Sequence, residues 1–306
     1  MKIVIAGGTG FLGRPLADAL AADGHTVVVL TRAAAAIRPG GVRLAPWAPD
    51  GRAGAAAREI DGADAVVNLA GESIAAGRWS VPRKQQILDS RVNATRSLAD
   101  AIARASAPPA VLVSGSAVGY YGPCGDDIVT ESSAPGSDFL GRVCVAWEAE
   151  ANRAASDRTR VVCIRTGLVL ARDGGALPRM LPPFWLLAGG PVGSGRQYWP
   201  WIHRDDWIGI VRWAIGQSSV SGAVNATAPN PVTNKAFAAA LGRAMHRPAL
   251  MPAPAFALRL LLGEMADALL LSGQRAIPAR AQQEYAFRFE DVGRALDALF
   301  KRPAGK

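Results

Sequence analysis

The stretch KIVIAGGTGFLGRPLADAL, residues 2–20, constrains the chain more than any other. An apolar run meets Gly7, Gly10 and Gly13 at three-residue spacing and then enters helical periodicity that Gly24 closes. In a strand-to-helix turn of this kind the first glycine permits the tight bend. The second lets backbone approach a pyrophosphate, and the third lets helix and strand pack closely. The amides and dipole at the helix N-terminus then favour negative charge. Thr9, Phe11 and Leu12 complete the predicted cofactor-binding turn.

Further apolar runs follow, HTVVVLTR, DAVVNLAG, AVLVSGS and RVVCIRTGLVL, separated by Ala-rich helical stretches. This alternation predicts an α/β fold with a doubly wound parallel sheet, whose strands read as continuous apolar runs because both faces are covered. After Arg172 the stretch DGGALPRMLPPFWLLAGGPVGSGRQYWPW is crowded with Gly, Pro and aromatics and predicts a loop over a site. Residues 205–216 predict a helix and GAVNATA one more strand, so residues 1–171 with 205–228 form the expected nucleotide-binding domain. Residues 172–204 and 229–306 form the expected smaller, mainly helical substrate-side domain.

At the end of the second strand, a cofactor lacking a 2′-phosphate ordinarily meets an acid, whereas a phosphorylated one meets an arginine. Here the sequence is VVVLTRAAAAIR. Arg32 therefore favours NADP(H) over NAD(H), and Arg38 is a second candidate for the same phosphate.

The 34 basic and 25 acidic residues give a net charge of +9, but no run of five basic residues exists, so the charge alone does not point to nucleic acid. No uninterrupted apolar segment has transmembrane length. The three cysteines, Cys124, Cys144 and Cys163, lack metal-ligand spacing and fit free thiols in a cytoplasmic protein. The expected partners are a small-molecule substrate and a second copy in a homodimer, with neither nucleic acid, membrane nor metal.

GGTGFLG, VVNLAG at 66–71, VSGSAVGYYG at 113–122 and WIHRDDW at 201–207 together resemble the extended and atypical short-chain dehydrogenase/reductases, in their NAD-dependent epimerase/dehydratase-like branch. NLAGESIAAGRW, CVAWEAEA and the C-terminal segment narrow the resemblance to its "epimerase family protein" subgroup, which carries a C-terminal domain of unknown function. The resemblance implies a Rossmann-type sheet. It places Leu69, Ala70, Gly71 and Ser114 beside the cofactor, Arg165, Gly167 and Leu168 at the nicotinamide side, and Ser116 at the catalytic serine position.

The same resemblance implies a tyrosine acid/base and a lysine four residues later, and here the chain departs from it. Leu140 and Cys144 stand in that register, with Glu148 following; no Tyr lies between Tyr121 and Tyr198 and no Lys between Lys84 and Lys235. Arg91 stands near the position of the family's helical asparagine.

The remaining candidates for chemistry are Ser116, Tyr120, Tyr121 and Glu72. A phenol without a neighbouring cation ionises at about 10, so either tyrosine is a donor rather than a base at neutral pH, or packs against the cofactor. Glu72 reads as a base or substrate ligand, or equally as a helix N-cap or a loop salt bridge, with Arg78, Trp79 and Lys84 in the same segment. Cys144 reads as a packed thiol, His203 as a structural histidine, Asp206 as a helix cap, and Trp199, Trp201, Trp207 and Trp213 as core. Two functions are expected from this set: an NADP(H)-dependent oxidoreductase or epimerase-like enzyme with a non-standard site, or a catalytically silent NADP(H)-binding sensor.

Overall fold

The computed structural model describes residues 1–301 apart from 34 and 39. Eight strands form one sheet in the spatial order Gly222–Ala226, Arg160–Thr166, Val111–Ala117, Ala65–Asn68, Lys2–Ala6, Thr26–Thr31, Arg43–Pro46 and Ala36–Ile37. Every neighbouring pair is parallel except the last. From the central Lys2–Ala6 strand the chain first builds outward to one edge, then returns to Ala65–Asn68 and builds to the other. The strand order reverses there, so the connections leaving Ala6 and Asn68 diverge and open a crevice at the carboxyl ends of the strands.

Helices cover both faces because each presents one apolar stripe. Leu16, Ala17 and Leu20 of the Gly13–Ala22 helix and Trp207, Ile210, Val211 and Ala214 of the Arg204–Gly216 helix pack on one face, with Ile3, Ile5, Val27 and Val29. On the other face, Ala94, Leu98 and Ile102 of the Val81–Arg104 helix meet Val4, Val28 and Val66. Each fully buried aliphatic side chain of this kind contributes about 1.5–3 kcal/mol through lost apolar exposure. A third core, with Phe184, Phe237, Leu241, Val292 and Leu296, joins the helices Leu177–Trp185, Asn234–Met245 and Val292–Phe300 beside the sheet.

The apolar run 160–170 is not one strand. The sheet strand ends at Thr166, and Leu168–Leu170 pairs instead with Trp201–His203. Gly167 makes the break: a Cβ there would lie 2.4 Å from the Pro200 carbonyl oxygen. This turn carries the chain from the sheet to the cover segment. Among the described residues, no helix is long and apolar enough to cross a membrane.

Candidate active site

The glycine turn occupies the crevice, and its glycines are required by contact. Gly7 has φ +77°, and a Cβ there would lie 2.6 Å from the Leu69 backbone and 2.8 Å from the Ala70 nitrogen. A Cβ on Gly13 would lie 2.2 Å from the Gly7 carbonyl oxygen. The amide of Gly10 donates to Gly7 O at 3.0 Å and closes the turn, which leaves Thr9 and Gly10 exposed at its lip.

The helix that begins at Gly13 has no side-chain cap and no acid in its first turn. By contrast, Ser80, Asp138, Thr233 and Asp291 each cap a helix with their own side chain. An N-terminus built tight, exposed and free of internal anions suits a bound anion. Phe11 turns away from this lip and packs on Gly174 and Gly175 of the cover segment, where a Cβ would meet its ring at 2.5 and 2.7 Å. Leu12 packs against the sheet core.

Across the crevice, Leu69 N donates to Ala6 O and Ala70 N to Asn68 Oδ1, while the Asn68 amide donates to Thr95 Oγ1 at 2.8 Å. Gly71 lies against the Arg91 side chain, 3.2 Å from a would-be Cβ to Arg91 Cγ. The half-buried Arg91 donates to the carbonyls of Glu72 and Ile87, both at 3.0 Å, and so fixes the turn after Gly71. Burial holds its guanidinium below the ordinary arginine range. Arg32 is exposed just past the end of the Thr26–Thr31 strand, whereas Arg38 is engaged with Asp18 at 2.7 Å.

Ser116 is the last residue but one of the Val111–Ala117 strand, in register with Arg165. Its hydroxyl donates to Glu148 Oε1 at 2.6 Å, and Glu148 is held by Arg165 through Nε to Oε1 at 2.8 Å and Nη2 to Oε2 at 2.9 Å. Arg165 Nη1 donates to the Tyr121 hydroxyl at 3.1 Å, and that hydroxyl donates to Asn225 Oδ1 at 2.6 Å. All of these side chains are buried. Burial pushes the Tyr121 phenol up to about 12 despite the neighbouring guanidinium.

This network engages several of the groups that the sequence placed at the cofactor or the reaction. The guanidinium of Arg165 is engaged by Glu148, Tyr121 and the Glu131 carbonyl. The buried Tyr121 hydroxyl is engaged by Asn225 and Arg165. Gly167 and Leu168 cannot offer their amides to a ligand, since these donate to Ala226 O and Pro200 O. Ser114 is likewise fully buried, with only its neighbour's carbonyl at 3.4 Å.

Tyr120 differs from its neighbour. It is half-buried, its ring lies 3.4 Å from the Arg165 guanidinium, and its hydroxyl has no hydrogen-bond partner among the described residues. It sits in the short Val118–Tyr121 turn at the carboxyl edge of the sheet. Leu140 packs against Gly119 in the same turn, and Cys144 Sγ contacts the Ala117 carbonyl. Burial pushes the Cys144 thiol up to about 11, so the thiolate is absent near neutral pH.

Glu72 pairs with Arg83 at 3.4 Å, the loop salt bridge weighed from the sequence. Trp79 stacks edge-on against Phe139, and Lys84 reaches Glu264 at 2.5 Å, so this segment ties the sheet domain to the C-terminal region. His203 is buried and accepts the Asp205 amide at Nδ1, 3.1 Å, capping the Arg204–Gly216 helix. Asp206 is therefore not the cap: its carboxylate accepts from the Tyr285 hydroxyl and the amides of Arg288 and Phe289. Trp199, Trp201 and Trp207 are buried, and Trp213 packs against the core.

Asn225 and Glu131 were not visible as site residues in the sequence, because their partners lie far along the chain. Glu131 binds the amides of Asn225 and Arg280.

Residues 3–226 match the model of the NAD dependent epimerase/dehydratase family. The chain belongs to that family. Residues 253–299 match a domain of unknown function, DUF1731. The Epimerase family protein YfhF of Bacillus subtilis is 40% identical over 98% of this chain and 98% of its own length. The chloroplastic SDR39U1 homolog of Arabidopsis thaliana is 41% identical over 98% of this chain and 87% of its own. The crystal structure of human epimerase family protein SDR39U1 with NADPH superposes at TM-score 0.89, with 38% identity, over 98% of this chain and 99% of that one.

Within this epimerase/dehydratase member, the fold and the nucleotide crevice follow the family pattern, while Leu140 and Cys144 hold the places of the tyrosine and lysine that the resemblance implies. No proton can move through Leu140, and Cys144 is held as a neutral thiol.

Proposed function

We propose that this epimerase/dehydratase-family protein is an NADP(H)-dependent oxidoreductase or epimerase-like enzyme. It acts on a small hydroxyl or carbonyl substrate, with Tyr120 as the proton donor. The observation that carries the assignment is the division of labour among three hydroxyls: Ser116 and Tyr121 are spent on buried partners, while Tyr120 keeps its proton for a ligand. Because Ser116 gives its proton to Glu148, its oxygen accepts, so it orients a substrate hydroxyl rather than polarising a carbonyl.

The contacts that exclude a Cβ at Gly7 and Gly13 fit a pyrophosphate on the turn, with Leu69, Ala70 and Gly71 beside the adenosine half and Arg32 at the 2′-phosphate. NADPH in the human SDR39U1 structure supports the same cofactor here. When bound, the nicotinamide supplies or accepts the hydride. The free thiols of Cys124, Cys144 and Cys163 support a cytoplasmic setting.

A second reading, a silent NADP(H) sensor, is favoured by Leu140 and Cys144. The purified protein with NADPH and a panel of aldehydes and ketones separates the two. Turnover that falls about 10²–10⁴-fold in Tyr120→Phe, with NADPH affinity unchanged, supports the enzyme. Tight NADPH binding without turnover on any compound supports the sensor, and absence of NADPH binding overturns both.

A further inference from the structure

The Leu177–Trp185 helix ends in Trp185, Leu186 and Leu187, all exposed, with Leu187 in the left-handed region at φ +59°. The following residues lie along a second segment: Met251 N donates to Gly189 O, and Val192 bridges Ala253 in parallel. That segment exposes Leu250, 83% accessible, and Met251. It leads into the Ala255–Leu262 helix, which buries none of its residues and exposes Phe256, Leu260 and Leu261. Phe256 and Leu260 stand one turn apart and therefore on the same helix face. Two stretches of the chain, 185–192 and 250–262, thus run side by side, each with exposed apolar side chains.

The unpaired charge beside this face is basic. The sequence has no carboxylate between Asp173 and Asp205, nor between Asp206 and Glu264. Arg243, His246 and Arg247 line an open depression that Leu250 also lines. Arg243, Arg247 and Lys235 are exposed and have no ion pair among the described residues; Arg259 pairs with Asp267 and Lys84 with Glu264. Exposed Trp, Phe and Leu beside unpaired arginines, with Asp267 and Glu264 each held in an ion pair, is the surface chemistry of a peripheral membrane contact. A second copy docked face to face would set Arg243 and Arg247 close to their own symmetry mates, which disfavours that occupant.

We propose that this face docks on an anionic phospholipid bilayer. Trp185, Phe256 and Leu260 enter the headgroup boundary, and Arg243 and Arg247 meet the lipid phosphates. No helix needs to span the bilayer for this contact.

Co-sedimentation of the full chain with phosphatidylcholine vesicles, with and without phosphatidylglycerol, tests it. The protein is expected to pellet with the anionic vesicles and to be released by high salt. Arg243→Ala with Arg247→Ala should weaken binding roughly 30-fold. Phe256→Ser with Leu260→Ser should abolish binding while the melting temperature and NADPH affinity stay at wild-type values. Wild-type protein left in the supernatant with anionic vesicles overturns the proposal. Equal binding to both vesicle types does so too. So does a Phe256→Ser, Leu260→Ser protein that still binds vesicles but elutes as a monomer where the wild type is a dimer, because the face then joins copies of the chain.

Discussion

Arg165 and Glu148 form a two-pronged ion pair, 2.8 and 2.9 Å, buried beneath the hydroxyl of Ser116. The pair is satisfied on nearly every side, by Ser116, Tyr121 and the Glu131 carbonyl, so neither charge is left without a partner. Removing one member is therefore far worse than removing both. Glu148→Ala is expected to cost about 3–5 kcal/mol, and Glu148→Met with Arg165→Met much less. Urea denaturation midpoints of the two variants decide this; equal losses would show that the pair carries no desolvation penalty.

Gly13 is fixed by backbone rather than by a movable side chain, since the nearest atom to a Cβ there is the Gly7 carbonyl oxygen at 2.2 Å. Gly13→Ala must push the helix start away from the turn. The expected outcome is at least a tenfold loss of NADPH affinity, with a helical circular dichroism spectrum close to wild type. Gly24→Ala is the control, because a Cβ there meets no atom within 4 Å although φ is +83°. It should lower stability by about 1 kcal/mol and leave NADPH affinity intact.

The difference between what the sequence displayed and what it concealed follows chain separation. The glycine cradle is local: strand, turn and helix are contiguous, so spacing alone defined it. Glu148 lies 32 residues from Ser116 and 17 from Arg165, so no periodicity joins them. The fold brings them together because Ser116 and Arg165 are register partners on adjacent strands. The break at Gly167 is hidden for the opposite reason, since RVVCIRTGLVL stays apolar through the turn and only the Pro200 carbonyl reveals why a glycine stands there. Asp206 beside Asp205 reads as a helix-start acid, but the helix begins one residue earlier and the cap passes to His203.

On the proposed function Arg32 is the residue that meets the 2′-phosphate, since Arg38 is already paired with Asp18. A hydrogen bond to a charged group contributes about 1.5–3 kcal/mol, which corresponds to roughly tenfold to 150-fold in affinity. Arg32→Ala should weaken NADPH by that factor and leave NADH nearly unchanged, measured by fluorescence titration. Arg38→Ala should change the preference little. Equal loss of both cofactors in Arg32→Ala would remove the 2′-phosphate from this residue.

His203 makes stability depend on pH. Its Nδ1 accepts the Asp205 amide, which requires the proton on Nε2 and a neutral ring. Burial lowers its pKa below the ordinary value of 6.5, although Asp205 and Asp206 pull the other way. The unfolded chain therefore takes up this proton at higher pH than the folded protein does. Stability from His203 is complete above about 6.5 and declines as the pH falls from there toward the depressed folded value. The melting temperature should drop between about pH 7 and pH 5, and His203→Asn, which retains a capping oxygen without a titrating ring, should flatten that part of the profile. An unchanged slope in His203→Asn would assign the acid sensitivity to carboxylates instead.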